Sequence, residues 1–467
     1  MTAALFLAAL PLFFPGDKVD LSEGQKRIFD DCGALVLETD KTALEHSEIQ
    51  GRLGAFQFVA GDATNWFAYL PSRTVAPCAW VGTGTHASHG WRQGDARLVE
   101  AMAMAGIGTV RVETNWENSE KEKGVFRPLQ GLDQFINDLT GRGISVNLLL
   151  TYGNRIYENP LDPEAFSAFC AWTAGRYKGI VERYEVWNEP QNFWFPKTYG
   201  NEQWLDKFIE LTSSAKAAIR KANPSASVGV AAEDVESLLD AMIIKGIADE
   251  EDVIAFHPYC HRQHRPEREY FLKDFGAKHR ALAKRHGGAT RFAITEAGWS
   301  TFQGTGVFWQ VAGSYPRASY AGQANCIVRF FLAARAAGVE FACQYDFRDD
   351  GTRRDHAEHN FGLMFRDFSP KPAYAAVATL TRMVGAADYE GEFAADPSRY
   401  RVMRFSQESK TTLACWSIEG ECEWPIPEPF HGAEMFDLYG NSLGRLESDA
   451  ITLAERPFYI VREIAGQ

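Results

Sequence analysis

The stretch Leu132–Gly153, LDQFINDLTGRGISVNLLLTYG, decides the fold. It reads as an amphipathic helical segment, a Gly-punctuated turn and a short apolar run. From about residue 76 the same grammar recurs along the chain. DARLVEAMAMAGIG precedes TVRVE, AFSAFCAWTAGRYKGI precedes VERYEVWNE, and WLDKFIELTSSAKAAIRKANP precedes SASVGVAAE. VESLLDAMIIKGIADEE then leads to DVIAFHPY, YFLKDFGAKHRALAKRHGG to RFAITEAG, and ANCIVRFFLAARAAG to VEFACQYDF, before SPKPAYAAVATLTRMVG closes the series. With CAWVGTGTHA as the first strand, this gives eight strands, each followed by a helical segment. Short strands that are apolar throughout suit a parallel sheet covered on both faces, and eight such units close into a (β/α)8 TIM barrel. The alternative, an open doubly wound sheet, lacks a Gly-rich phosphate loop opening its first helix.

The rest of the chain fits around that barrel. At 467 residues it has room for one large domain and one or two small ones, since single cores stop growing at roughly 250 to 300 residues. After about residue 385, RYRVMRFSQ, TTLACWSI, AEMFDLYG and RPFYIVRE read as short antiparallel strands, and GALVLETD and GAFQFVAG make residues 1–75 β-rich. The expected layout is therefore an N-terminal β-rich segment (1–75), a barrel (76–385) and a C-terminal β-domain (386–467), the two ends building one small accessory β-sandwich. The opening MTAALFLAALPLFFPGD fits either an export signal or a buried first strand or helix, which leaves secreted, periplasmic and cytoplasmic locations open. No later run reaches the roughly 18 apolar residues of a membrane span. The formal charge, 48 minus 61 or -13, argues against nucleic acid or an anionic membrane as the main partner. Eight scattered cysteines fit buried thiols, with Cys415 and Cys422 the pair most open to bridging.

Barrel chemistry sits where strands end. Glu189 ends the fourth strand and Glu296 the seventh, 296 minus 189 or 107 residues apart, yet both face one mouth. Two such carboxylates suit glycoside hydrolysis, one protonated to donate to the leaving oxygen, the other ionised to attack or to stabilise the sugar cation.

WNEP at 187–190 and TEAGW at 295–299 resemble the retaining glycoside hydrolases of clan A. The longer WNEPQNFW is most similar to family 39 and its bacterial exopolysaccharide-degrading relatives, and the likeness runs over about residues 76–385. The resemblance implies that Glu189 is the general acid/base and Glu296 the nucleophile. It further implies that Asn188 bonds the sugar 2-hydroxyl, that Arg111 in TVRVE helps keep Glu296 ionised, and that His257 and Tyr259 in AFHPY belong to the site, with Tyr259 bonded to Glu296.

Sugars also bind aromatic faces, which makes Trp116, Phe193, Trp194, Trp299 and Trp309 candidate subsite walls, Trp299 first among them. Gln344, Tyr345 and Asp346 end the eighth strand and are placed on the floor. CHRQHRPER, residues 260–268, suits an acidic sugar or a solvated basic loop; its HxxH finds no third ligand, and no metal is assigned. The expectation is a retaining, endo-acting hydrolase of a polysaccharide or oligosaccharide that needs no cofactor. An exo-acting β-xylosidase-like enzyme, a glycosyl transfer to another acceptor, and a non-catalytic carbohydrate-binding protein on a degenerate barrel are the alternatives.

Overall fold

The computed structural model describes residues 10–21, 23–86, 96–192, 194–231, 236–259, 265–268, 270–288, 291–303, 317–396 and 398–463. In the stretch 132–153, Leu132, Phe135, Ile136 and Leu139 are buried, the i, i+3, i+4, i+7 stripe of a core-facing helix. Gly143, at φ 75°, reverses the chain in a conformation that a Cβ would strain. Val146–Thr151 are then buried without alternation, as a strand covered on both faces must be.

Eight such strands form the barrel: β1 (Cys78–Thr85), β2 (Ile107–Asn115), β3 (Ser145–Thr151), β4 (Arg183–Val186), β5 (Ser227–Ala231), β6 (Val253–Phe256), β7 (Arg291–Ala297) and β8 (Ala342–Gln344). Each pairs in parallel with the next, and β8 returns to β1 to close the ring. The outer helices are α1 (Ala96–Met104), α2 (Leu132–Thr140), α3 (Pro163–Arg176), α4 (Trp194–Ala222), α5 (Glu236–Ile244), α6 (Tyr270–Arg285), α7 (Tyr320–Ala336) and α8 (Pro372–Val384). Local chemistry fixes their ends: Asp162 accepts from Ala165 N at 2.9 Å ahead of Pro163, a side-chain cap followed by a residue that has no N–H to satisfy. Helix α4 starts ten residues earlier than WLDKF suggests, at Trp194, with a non-helical break at Gly200 (φ 73°) between its two parts.

The chain ends form separate sheets. N-terminally, a five-stranded sheet runs Leu12–Phe13, Ala63–Tyr69, Gly54–Ala60, Lys26–Phe29, Leu35–Thr39, over a core that includes Val19, Ile28, Phe56, Phe58 and Phe67. Within the apolar opening, Leu12–Phe13 is a parallel edge strand on Ala68–Tyr69, with Leu12 and Phe14 buried. C-terminally, a six-stranded antiparallel sheet covers its own core of Val402, Leu413, Trp424, Leu453 and Ile460. The two ends meet through polar contacts. Leu53 N donates to Asn441 Oδ1 at 2.7 Å, while Tyr439 Oη and Arg456 Nη1 each reach Asp31 at 2.8 Å. Cys415 and Cys422 are free thiols, both in the C-terminal unit. Among the described residues no helix is long and apolar enough to cross a membrane.

The C-terminal sheet also holds the segment that follows β6. Buried Glu267 accepts from Arg329 of α7 and from Trp416 Nε1 (3.1 Å), Arg329 Nη2 donates to Ile418 O (3.1 Å), and Arg265 pairs with Glu419 (2.7 Å). Removing one partner of a buried pair strands the other charge, which costs more than the pair itself contributes. Glu267→Ala is therefore expected to lose about 3–5 kcal/mol in urea unfolding, most of it recovered by the double replacement Glu267→Leu/Arg329→Met.

Candidate active site

Toward the C-terminal mouth of the barrel, four strands, β2, β3, β4 and β7, deliver polar side chains. Glu185, fully buried in β4, accepts a bidentate pair from Arg111 of β2 (Nε 3.0 Å, Nη2 2.9 Å), a bond from Asn147 Nδ2 (2.6 Å) and one from Thr295 Oγ1 (3.1 Å). Four donors on one carboxylate satisfy a charge that burial would otherwise make costly. Arg111 is thereby held with Nη1 3.0 Å from Glu296 and Nη2 2.7 Å from Asn188 Oδ1.

The backbone carrying Glu189 sits in a conformation that L-residues avoid: Trp187 has φ 71° and Glu189 φ 44°. The surroundings hold it there. Trp187 is buried against Tyr152, Phe166 and Phe195, its N–H donates to Leu150 O (3.0 Å), and Asn192 N closes a turn onto Glu189 O (3.0 Å). Such outliers persist where the fold over-determines them, commonly at functional sites, and this one aims a carboxylate.

The two glutamates have different partners. Glu296 accepts from Arg111 and from Tyr259 Oη (2.5 Å), donors that stabilise negative charge. Glu189 accepts from Asn192 Nδ2 (2.7 Å) and bonds His257 Nδ1 (2.9 Å). Thr295 donates its single proton to Glu185, so its oxygen takes its bond from His257 Nε2 (3.2 Å), and while Glu189 is ionised Nδ1 donates as well. The electrostatics agree. Burial opposes the imidazolium, but the Glu296 charge and the Glu189 hydrogen bond outweigh it and raise the His257 pKa above its usual value. One ligand atom from each of Glu189, His257 and Glu296 falls within 4.8 Å of the others, a grouping that in spacing alone suits a cation. With Glu296 taken by the Arg111 guanidinium and the Tyr259 hydroxyl, and His257 held between Glu189 and Thr295, the donor set does not fit a metal ion.

A second cluster faces Glu296 from β1, β2 and the loop after β8, and sequence reading missed all of it except Tyr345. His86 Nδ1 lies 2.7 Å from Glu113 Oε1, His86 Nε2 lies 3.2 Å from Tyr345 Oη, and that hydroxyl lies 3.2 Å from Asp350 and 3.1 Å from Glu358. Burial and the charges of Glu296 and Asp350 push the Glu358 carboxyl up to about 7, against the pull of the Tyr345 hydrogen bond. At His86 burial favours the neutral ring, but the Glu113 hydrogen bond and charge, with Asp350 and Asp346 behind it, push the pKa up to about 9. A group raised from 6.5 to about 9 by folding contributes stability that is fully present below about 6.5 and is lost as pH rises through 9. The difference in melting temperature between wild type and His86→Gln should therefore shrink between those two values.

Of the residues expected at the site, Glu189, Glu296, Asn188, Arg111, His257, Tyr259 and Tyr345 come together. Trp116 does not reach the cleft surface: it is fully buried, its Nε1 bonded to Glu120 (2.5 Å), packed on Tyr157 and Phe166. Trp299, only 2% exposed, packs edge-on against Phe330 of α7, so neither ring offers an open face to a sugar. Trp194 is half-buried under the Arg155 guanidinium, 4.8 Å from its ring. Gln344 donates to Phe361 O (2.9 Å) and Asp346 is buried. Phe193, Trp309 and residues 260–264 lie outside the described residues, and Arg265 and Glu267 serve the anchor to the C-terminal sheet.

No protein-family model and no curated sequence relative matches the chain. Its fold is similar to a family 39 glycoside hydrolase from the gut symbiont Bacteroides cellulosilyticus WH2, at 19% identity over 98% of this chain and 99% of that one, TM-score 0.75. A glucosidase from Croceicoccus marinus (10% identity, 85% and 97%, TM-score 0.57) and a family 30 endoxylanase from Clostridium papyrosolvens C71 (8%, 84% and 98%, TM-score 0.53) share the architecture. At these identities the likeness is one of fold.

Proposed function

We propose that this chain is a retaining glycoside hydrolase of the clan A type, acting within a polysaccharide or oligosaccharide. The observation that carries the reading is the pair Glu189 and Glu296, with carboxylate oxygens within 4.8 Å and separate sets of hydrogen-bond partners. Retaining enzymes hold their carboxyls about 5–5.5 Å apart so that one attacks the sugar directly, whereas inverting enzymes leave roughly 6.5–9.5 Å for a water.

In the first step a Glu296 oxygen bonds the anomeric carbon while the glycosidic C–O bond breaks, and Glu189 gives its proton to the departing oxygen. In the second, Glu189 takes a proton from water, the water oxygen bonds the anomeric carbon, and Glu296 leaves as carboxylate. Arg111 and Tyr259 hold Glu296 in place for both steps. Asn188, oriented by Arg111 on Oδ1 and Tyr152 on Nδ2 (2.9 Å), retains one N–H for the sugar 2-hydroxyl.

The test is a reducing-sugar and product-length assay over neutral and uronate-containing polysaccharides and aryl glycosides, with the first-formed anomer followed by NMR. Retention with intermediate-length products is expected, while release of single sugars would make the enzyme exo-acting. Inversion would overturn the double displacement. Saccharide binding without any hydrolysis would make the chain a binding protein.

A further inference from the structure

A cavity of about 290 Å3 lies between the N-terminal sheet and the loop after β8, lined by Asn65 and Trp66 on one side and by Asp349, Arg354, Phe365 and Arg366 on the other. That is the lower end of the size range of small-ligand pockets, roughly 300 Å3 and up. Arg366 also lines a small hollow beside His86, Asp346 and Asp350, which places the cavity next to the floor of the active site.

Asp349 is 2% exposed and its two oxygens are used unequally. Oδ1 accepts from Lys371 Nζ (2.6 Å) and Gly362 N (2.9 Å), while Oδ2 has no hydrogen-bond partner among the described residues. Such a carboxylate oxygen, on the wall of a cavity, offers a ligand hydroxyl an acceptor at the cost of displaced water alone. Lys371, itself fully buried, already balances the charge, so the missing donor is a neutral one such as a hydroxyl. Asn65 and Arg354 supply donors for further oxygens, and Trp66 and Phe365 supply aromatic wall. A carboxylate acceptor, amide and guanidinium donors and an aromatic surface around a space of this size match a sugar ring, polar at its edges and apolar on its C–H faces.

We propose that this cavity holds one sugar unit of a polysaccharide chain, with a ring hydroxyl donating to Asp349 Oδ2, as a subsite remote from the bond that is cleaved. The proposal rests on the glycosidase reading and extends it, because a remote subsite favours long chains over short ones.

Asn65→Trp, from a strand position at the cavity edge, fills the space; Arg354→Ala, at an exposed position, removes one donor and spares the fold. The probes are cello-, xylo- and manno-oligosaccharides of two and six units, titrated calorimetrically into Glu296→Gln protein with and without each change. For the series that binds, hexasaccharide affinity is expected to fall about tenfold in Arg354→Ala, the worth of one hydrogen bond to a charged group, and at least as far in Asn65→Trp, with disaccharide affinity unchanged. In the otherwise wild-type enzyme, kcat/KM should fall on polysaccharide and hold on an aryl monoglycoside. Hexasaccharide binding unmoved by either change in folded protein, or no hexasaccharide binding at all, overturns the proposal and leaves the glycosidase reading to its own assay. If the wild type hydrolyses nothing, the glycosidase reading fails alone, and hexasaccharide binding lost in Asn65→Trp still upholds the cavity as a saccharide site.

Discussion

Glu296→Gln should lower kcat on the order of 10⁴-fold or more on every substrate the wild type cleaves, with saccharide binding and melting temperature close to wild type. The amide keeps the volume of the side chain and an oxygen for Arg111, but it cannot displace a leaving group and carry the sugar. Stability should hold because Arg111 is not stranded: its bidentate pairing with Glu185 and its bond to Asn188 remain. Glu185→Gln makes the contrast. It removes the charge that four donors converge on and leaves the Arg111 guanidinium buried with a weaker partner, so its cost falls on unfolding free energy as well as on rate. A Glu296→Gln enzyme that turns over at a near-normal rate would refute its assignment as nucleophile.

The barrel was legible because a strand covered on both faces leaves a continuous apolar run, a signal that needs no long-range information. The facing carboxylates Glu189 and Glu296 were legible for the same reason, since they stand where those runs stop. Arg111, Glu113 and Glu185 are charges inside such runs, which says that each must be paired but not with what. The partner of Glu185 lies 74 residues away, and only barrel closure brings the two together. The aromatics misled for a physical reason. A tryptophan after a strand has the same sequence signature whether it lines a cleft or turns inward, and Trp116 and Trp299 turn inward against Phe166 and Phe330. His86 stands where the strand-end rule points, at the end of CAWVGTGTHA, whereas Asp350 and Glu358 lie in a connection whose path sequence does not specify, and their charges act on the surroundings of Glu296.

Those electrostatics make Glu189→Gln the more discriminating experiment. If Glu189 is the proton donor, its loss should slow cleavage of a saccharide leaving group by about 10²- to 10⁴-fold, the usual worth of general acid–base catalysis. An aryl glycoside with an acidic phenol departs without a proton, so formation of the glycosyl-enzyme should be nearly spared while its hydrolysis, which needs a base, becomes slow. The covalent intermediate then accumulates as a burst of phenol. Azide needs no base to attack, so adding it should restore turnover and yield a glycosyl azide with the configuration of the substrate. Glu358 provides the control: its carboxyl, pushed up to about 7, also holds a proton near Glu296. Bonded to Tyr345 and coupled to the Glu296 charge, it should show on Glu358→Gln a loss independent of the leaving group and no azide rescue. If instead Glu358→Gln gave the burst and the rescue, and Glu189→Gln did not, the proton donor would be the carboxyl in the loop after β8, and the strained turn at Trp187–Glu189 would need another role.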